Sequence, residues 1–157
     1  MSTGQDHSQE PQWLTASQLG AWRELTFLMA RLPSVLEAQL KRDAGLSYLE
    51  YYVMAGLTDQ PNHAMRLSDL ANRSSSELSR LSHLISRLER RGFVRRVTDS
   101  DDGRYTKAVM TEAGLAQMAK AAPAHVAEVR RLVFDVLDNA DVEALHGCAE
   151  KVTKHLR

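Results

Sequence analysis

RLSDLANRSSSELSRLSHLISRLERRGFVRRVTDSDDGRYTKAVMT, residues 66–111, is the stretch whose reading decides the fold. Residues 68–73 carry Leu70 and Ala71 and read as a short helix without a clean cap. Ser74 and Glu77 stand at capping-box spacing, which predicts a second helix from Ser75 to about Arg91. Leu78, Leu81, Leu84, Ile85 and Leu88 share one side of it, and Ser76, Ser79, Arg80, His83 and Arg87 the other. After Gly92 the period shortens: Phe93-Val94-Arg95-Arg96-Val97 is strand-like, residues 98–103 (TDSDDG) turn, and residues 104–110 return as the partner strand. Met65-Arg66-Leu67 is too short to assign on its own, a small strand pairing with that hairpin being one option. Helix, turn, helix and hairpin in this order describe a winged helix-turn-helix.

Outward from this module, both flanks are helical. Residues 1–13 begin polar and unpatterned, as expected of a disordered tail. Thr15 and Gln18 form a capping box with Leu14 and Leu19 as its hydrophobic staple, and apolar residues recur at Leu19, Trp22, Leu25, Leu28 and Met29. Pro33 should kink or split this helix, which stops at Gly45. Ser47 and Glu50 cap the next helix, which buries Leu49, Val53, Met54 and Leu57. Beyond the hairpin, Thr111 caps a long helix running towards Asp138 and bent at Pro123. A last helix from about Asp141 to Leu156 places Val142, Leu145, Cys148, Val152 and Leu156 on one buried stripe. The architecture expected is mainly α with a small β-hairpin wing: residues 47–111 are the winged module, and residues 14–46 and 112–157 form a helical dimerisation region.

Composition is ordinary for a globular chain of 157 residues, with 43% apolar and 25% charged residues and a net charge of zero. The charge is unevenly spread. Residues 66–97 hold eight arginines against Asp69, Glu77 and Glu89, a net of +5, so the remainder carries −5. A basic module on an acidic body is the asymmetry of a nucleic-acid binder. A lone cysteine rules out an intrachain disulfide framework, and no apolar run reaches the ~18 residues of a membrane span. The expected compartment is the cytoplasm.

A helix that enters the major groove needs short polar residues first, for close approach, and longer donors a turn later. Ser75, Ser76 and Ser79 meet the first need; Arg80 and His83 meet the second, with Arg87 further along. Arg73 in the turn suits a backbone phosphate, and Arg96 lies on the first wing strand. At the hairpin tip Arg104 can enter a narrow minor groove, with Asp102 two residues away to hold it.

Asp102-Gly103-Arg104, five residues, then Met110-Thr111 resembles the D-x-R-x5-L-T wing signature of the MarR family of transcriptional regulators, with Met110 in place of the usual leucine. Leu84-Ile85-x-x-Leu88-Glu89-x-x-Gly92-Phe93-Val94-x-Arg96 is similar to that family's recognition-helix end and first wing strand, and residues 66–71 to its preceding helix. The resemblance implies a homodimer whose terminal helices interlock and whose two modules bind a pseudo-palindromic DNA operator, more in the manner of a repressor than an activator. It implies Arg104 in the minor groove, positioned by Asp102. It also implies a small anionic or phenolic effector; the candidate residues, by their place on the first two helices and the following loop, are Trp22, Arg42, Tyr48, Tyr52 and His63, with ordinary core or dimer packing the alternative for Trp22 and the tyrosines.

Other chemistries have little to stand on. Cys148 falls on an apolar stripe and reads as a small hydrophobe. His146 and Cys148 point about 200° apart on a helix, and His125 with Glu128 lacks a third ligand, so no metal or other cofactor is expected. No G-x-S-x-G, Walker loop or H-E-x-x-H occurs, so the chain does not read as an enzyme. A winged helix kept only for protein interaction or dimerisation is the alternative, against which stand the arginines of the recognition face and the wing tip.

Overall fold

The computed structural model describes residues 11–156, so ten of the thirteen residues expected as a tail lie outside the described part. Helix α1 spans Ala16–Ala44, opened by the expected capping box: the Gln18 N–H donates to Thr15 Oγ1 at 3.2 Å and the Thr15 N–H to Gln18 Oε1 at 2.9 Å. Pro33 does not split it. The missing donor removes one rung of the ladder, and the rungs on either side carry the helix past it. Gly45, at φ 63°, ends it. Among the described residues, those up to Ser34 and those from Val35 on form two separate units. In the first, Leu19, Trp22, Leu25, Leu28 and Met29 all face solvent.

The second unit holds the core. Helix α2 (Tyr48–Thr58) starts on the Ser47–Glu50 capping box, with both reciprocal bonds formed. Strand β1 (Ala64–Arg66) leads directly into α3 (Leu67–Arg73), and α4 (Leu78–Arg90) follows after a turn. Strands β2 (Val94–Thr98) and β3 (Thr106–Met110) make the wing. The small strand before α3 is real: β1 pairs antiparallel with β3, so the sheet order is β1-β3-β2 and the register sets Arg66 opposite Lys107. Met54, Leu57, Leu70, Leu81, Leu84, Ile85, Leu88, Val94 and Ala108 form one apolar cluster. It joins α2, α3 and α4 to the sheet.

Helix α5 (Glu112–Leu132) is anchored to the wing base through Thr111. Its hydroxyl donates to Gly92 O at 2.6 Å and accepts from the Gly114 N–H at 3.0 Å, while its own N–H donates to Phe93 O at 3.0 Å. Gly114 sits so close to the strand that a Cβ there would lie 2.1 Å from Phe93 O. The helix expected to continue towards Asp138 ends at Leu132, and Phe134–Val136 tightens into a 3₁₀ turn. Two β-branched residues and a phenylalanine in four positions, Val133, Phe134 and Val136, are poor helix formers. Helix α6 (Asn139–Leu156) begins on a capping pair, Asp138 with Asp141. Its stripe is not buried within the chain: Leu145, Cys148, Val152 and Leu156 are exposed. An apolar stripe seen in the sequence says that a face needs covering, and not by which chain.

His125 on α5 is buried beside the Tyr51 ring, 4.3 Å between centroids, and its Nδ1–H donates to Gln39 Oε1 at 3.0 Å. Burial holds its pKa below the usual histidine value.

Two outcomes follow from these contacts. Gly114→Ala should destabilise the fold by about 1–3 kcal/mol, read as a lowered denaturation midpoint, because backbone rather than a movable side chain meets the added methyl. For His125, the unfolded chain takes up a proton at about pH 6.5, where the folded chain resists it. Its contribution is therefore present above that pH and lost as pH falls below it. Between pH 7.5 and 5.5 the wild-type melting temperature should drop more than that of His125→Gln; parallel curves would exclude this origin.

Candidate nucleic-acid interface

The turn between α3 and α4 departs from its expected form. Ser74 does not cap α4: its hydroxyl donates back to Leu70 O at 2.8 Å. The Ser75 N–H donates to Asn72 O at 3.2 Å and the Ser76 N–H to Ala71 O at 3.0 Å, the paired bonds that close a helix C-terminus. Ser75 takes φ 48°, the left-handed position usually held by glycine. The serine run thus ends α3, and α4 starts three residues later than expected, with Glu77 as an N-cap that makes no side-chain cap bond. Position decided this: Ser74 is the C-cap of α3, three residues before the N-cap of α4, so its hydroxyl lies beside the last carbonyls of α3 and not at the start of the next helix.

Helix α4 then presents a sharply divided surface. Leu81, Leu84, Ile85 and Leu88 are buried, whereas Ser79, Arg80, His83 and Arg87 are exposed. Leu78, expected on the buried side, is 54% exposed at the start of the helix. Ser79, Arg80, His83 and Arg87 also line one side of a cleft of about 480 Å³ whose other wall includes Ser47 and Leu49.

Two carboxylates fix the angle of α4. Glu50, buried in the α2 capping box, accepts from Arg87 Nε at 3.3 Å and lies 3.7 Å from Arg91 Nη1. Glu89 accepts from the Arg96 backbone N–H at 3.0 Å and from its guanidinium at 2.6 Å, contacts that hold its carboxyl below the usual range. Arg96 Nη2 also donates to Ser82 O at 2.7 Å and to Ser86 Oγ at 3.0 Å. Arg96, expected among the DNA-binding residues, therefore fastens β2 to α4, with its guanidinium engaged by Glu89, Ser82 and Ser86. Arg73 approaches Asp59 at 3.6 Å.

At the wing tip the Arg104 side chain is 84% exposed, and Asp102 holds it through its backbone N–H and one edge of its guanidinium. Asp102 Oδ1 accepts from the Arg104 backbone N–H at 3.1 Å and from Nε at 3.0 Å, while Oδ2 accepts from Nη2 at 2.7 Å. The Arg104 guanidinium draws the Asp102 pKa below its ordinary value. Such a fork-to-fork contact fixes direction as well as charge. Behind the tip lies Asp99, only 2% exposed, in contact with Arg66 and Lys107. Nothing in the run TDSDDG marks which acid is buried, and only pairing of the strands selects Asp99.

The five candidate effector residues are only partly brought together. Tyr48 and Tyr52 stack, 6.4 Å between ring centroids, and Tyr52 borders a cleft of about 1080 Å³ with Asn72, Arg73 and Ser75. Arg42 is turned to Asp43, and His63 donates to Thr58 O at 2.9 Å. Trp22 belongs to the first unit, half exposed.

The conformation of Ser75 yields a test. Ser75→Gly should leave the protein as stable or up to about 1 kcal/mol more stable, since glycine adopts positive φ without the side-chain penalty. A clear loss of stability on thermal melting would mean that the hydroxyl, and not the backbone, holds the turn.

The model of the MarR family matches residues 46–106, the module just described. No curated protein matches the chain. Sco3205, a MarR family transcriptional regulator from Streptomyces coelicolor solved in complex with DNA, is 35% identical with a TM-score of 0.89, covering 94% of this chain and 92% of its own. AbsC, a MarR family transcriptional regulator from the same organism, is 38% identical with a TM-score of 0.88, covering 94% and 99%. BldR from Sulfolobus solfataricus, at 22% identity and a TM-score of 0.77 over 88% of this chain and 96% of its own, shares the fold. At these identities, over nearly the full length of both chains, the protein belongs to the MarR family of transcriptional regulators.

Proposed function

We propose that this regulator binds double-stranded DNA as a homodimer, with α4 in the major groove and the wing tip in the minor groove. The observation that carries the reading is the wing tip, where an exposed arginine is forked by the neighbouring carboxylate, on the same module as the exposed Ser79, Arg80, His83 and Arg87. Arg80 has the reach for a bidentate contact to guanine, and exposed Leu78 suits a thymine methyl. Ser75, Ser76 and Arg73 lie at the turn, where phosphate contacts orient the module. That Sco3205 was solved in complex with DNA supports the DNA-binding part of this reading.

The dimer is supported by apolar faces that the single chain leaves in water. Leu19, Trp22, Leu25, Leu28 and Met29 form one on α1, and Leu145, Val152 and Leu156 another on α6. Contiguous exposed apolar faces of this kind mark association surfaces. Two modules related by a two-fold would read a pseudo-palindrome, and occupancy of an operator by such a dimer represses by exclusion. Release by a small anionic or phenolic effector is supported by the cleft that Tyr52 shares with Asn72, Arg73 and Ser75, because a molecule there touches the α3–α4 turn.

Arg104→Ala should weaken binding to the protein's own promoter DNA by about tenfold or more while leaving the sedimentation coefficient unchanged. Wild-type affinity should fall steeply with salt as phosphate counterions are released. Absence of duplex binding at low salt, or an affinity flat in salt, would reject the reading in favour of a protein-interaction module.

A further inference from the structure

Three strands of the sheet meet at one buried carboxylate. Asp99 follows the last residue of β2, and its side chain is wholly enclosed. Its Oδ2 accepts from Arg66 Nε of β1 at 2.5 Å, and its Oδ1 lies 2.6 Å from Lys107 Nζ of β3. Oδ1 also accepts from the Asp101 N–H at 3.1 Å, so both oxygens are occupied.

The register explains why this matters. Arg66 and Lys107 are direct partners across the antiparallel β1–β3 pair. Like charges directly opposite one another destabilise a ladder. Here a single acid lies between the two cations and pairs with both, so the rung is bridged rather than left repulsive. Lys107, then the Asp101 N–H and Arg66, hold the Asp99 carboxyl down to a pKa of about 2, so it stays charged at any physiological pH.

From this point the wing tip is set in two steps. The Asp99 N–H donates to Tyr105 O at 2.9 Å and the Tyr105 N–H to Asp102 O at 3.0 Å, closing the turn that carries Arg104. The Arg66 guanidinium, while bonded to Asp99, lies over the Tyr105 ring at 4.5 Å. Arg66 is also the N-cap residue of α3. The residue next to Arg104 is thereby clamped to the start of the helix-turn-helix.

We infer that Asp99 is a positioning residue for DNA recognition: by bridging the two cations of the Arg66–Lys107 rung it locks the wing against β1 and α3 and sets where Arg104 is presented. This rests on the DNA-binding reading above. The residue touches no DNA itself, so its effect must pass through the wing arginine.

The test is a double-mutant cycle in the full-length chain, with promoter-DNA affinity read by fluorescence anisotropy alongside thermal melting. Asp99→Asn should weaken DNA binding by about tenfold, close to the effect of Arg104→Ala, and the two together should lose little more than either alone. Losses that multiply would overturn the inference while leaving the wing contact standing. An unchanged affinity in Arg104→Ala would overturn both. If Asp99→Asn melts too low to assay, Asp99→Asn with Lys107→Gln removes the repulsion as well as the acid. That variant should recover the melting transition and part of the DNA affinity; failure to recover either would overturn the inference.

Discussion

Four side chains of α4, Leu81, Leu84, Ile85 and Leu88, are almost completely withdrawn from water, and the rest of the winged module is arranged to keep them so. Each such burial is worth about 1.5–3 kcal/mol. Together they hold the helix against α2, α3 and the sheet with no rotational freedom about its axis. The opposite face is then fixed as the one left to solvent. A helix buried on one side by apolar contact alone could still slide or tilt, because apolar contact has little direction. Glu50 from α2 and Glu89 with Arg96 from the wing side remove that freedom through hydrogen bonds, which do have direction.

The same division of labour recurs in the wing. The β2–β3 hairpin alone would be marginal in water, since a two-stranded ribbon buries little. Three features secure it: pairing of β1 along β3, the Thr111 hydroxyl bridging the hairpin base to α5, and the close seat of Gly114 against Phe93. The tip itself is solvent-exposed and relies on a local charge contact between Asp102 and Arg104. Exposed ion pairs contribute little to stability. Their worth here is geometric, which is why a wing signature can be so specific and yet so short.

Much of this was legible from residue order, and the failures share a cause. Capping boxes at Thr15–Gln18 and Ser47–Glu50 formed as their spacing suggested, as did the stops at Gly45 and Gly92, because those contacts are made within four residues. Ser74–Glu77 has the same spacing and formed no box, because Ser74 closes α3 and the next helix is capped only at Glu77. Leu78 has the period of a core residue and is exposed, since the helix begins at that position and the core lies a turn further on. Arg96 was legible only as a cation on the first wing strand and a candidate for DNA contact. A neighbouring helix brings Ser82, Ser86 and Glu89 to it, and only the pairing of helix with strand makes that visible.

The sequence by itself determined the order of elements, the basic character of the central module and the Asp102–Arg104 fork. Each is a matter of periodicity, net charge or contact between near neighbours. Tertiary structure decided which acid of the run TDSDDG is buried, which arginines are turned inward, and where the recognition helix begins. Those outcomes depend on groups 7 to 37 positions apart, such as Arg96 with Glu89, Arg66 with Asp99 and Arg87 with Glu50. A side chain's role as clamp or contact follows from what packs against it, and burial of a charge is settled only when its partners from other elements arrive.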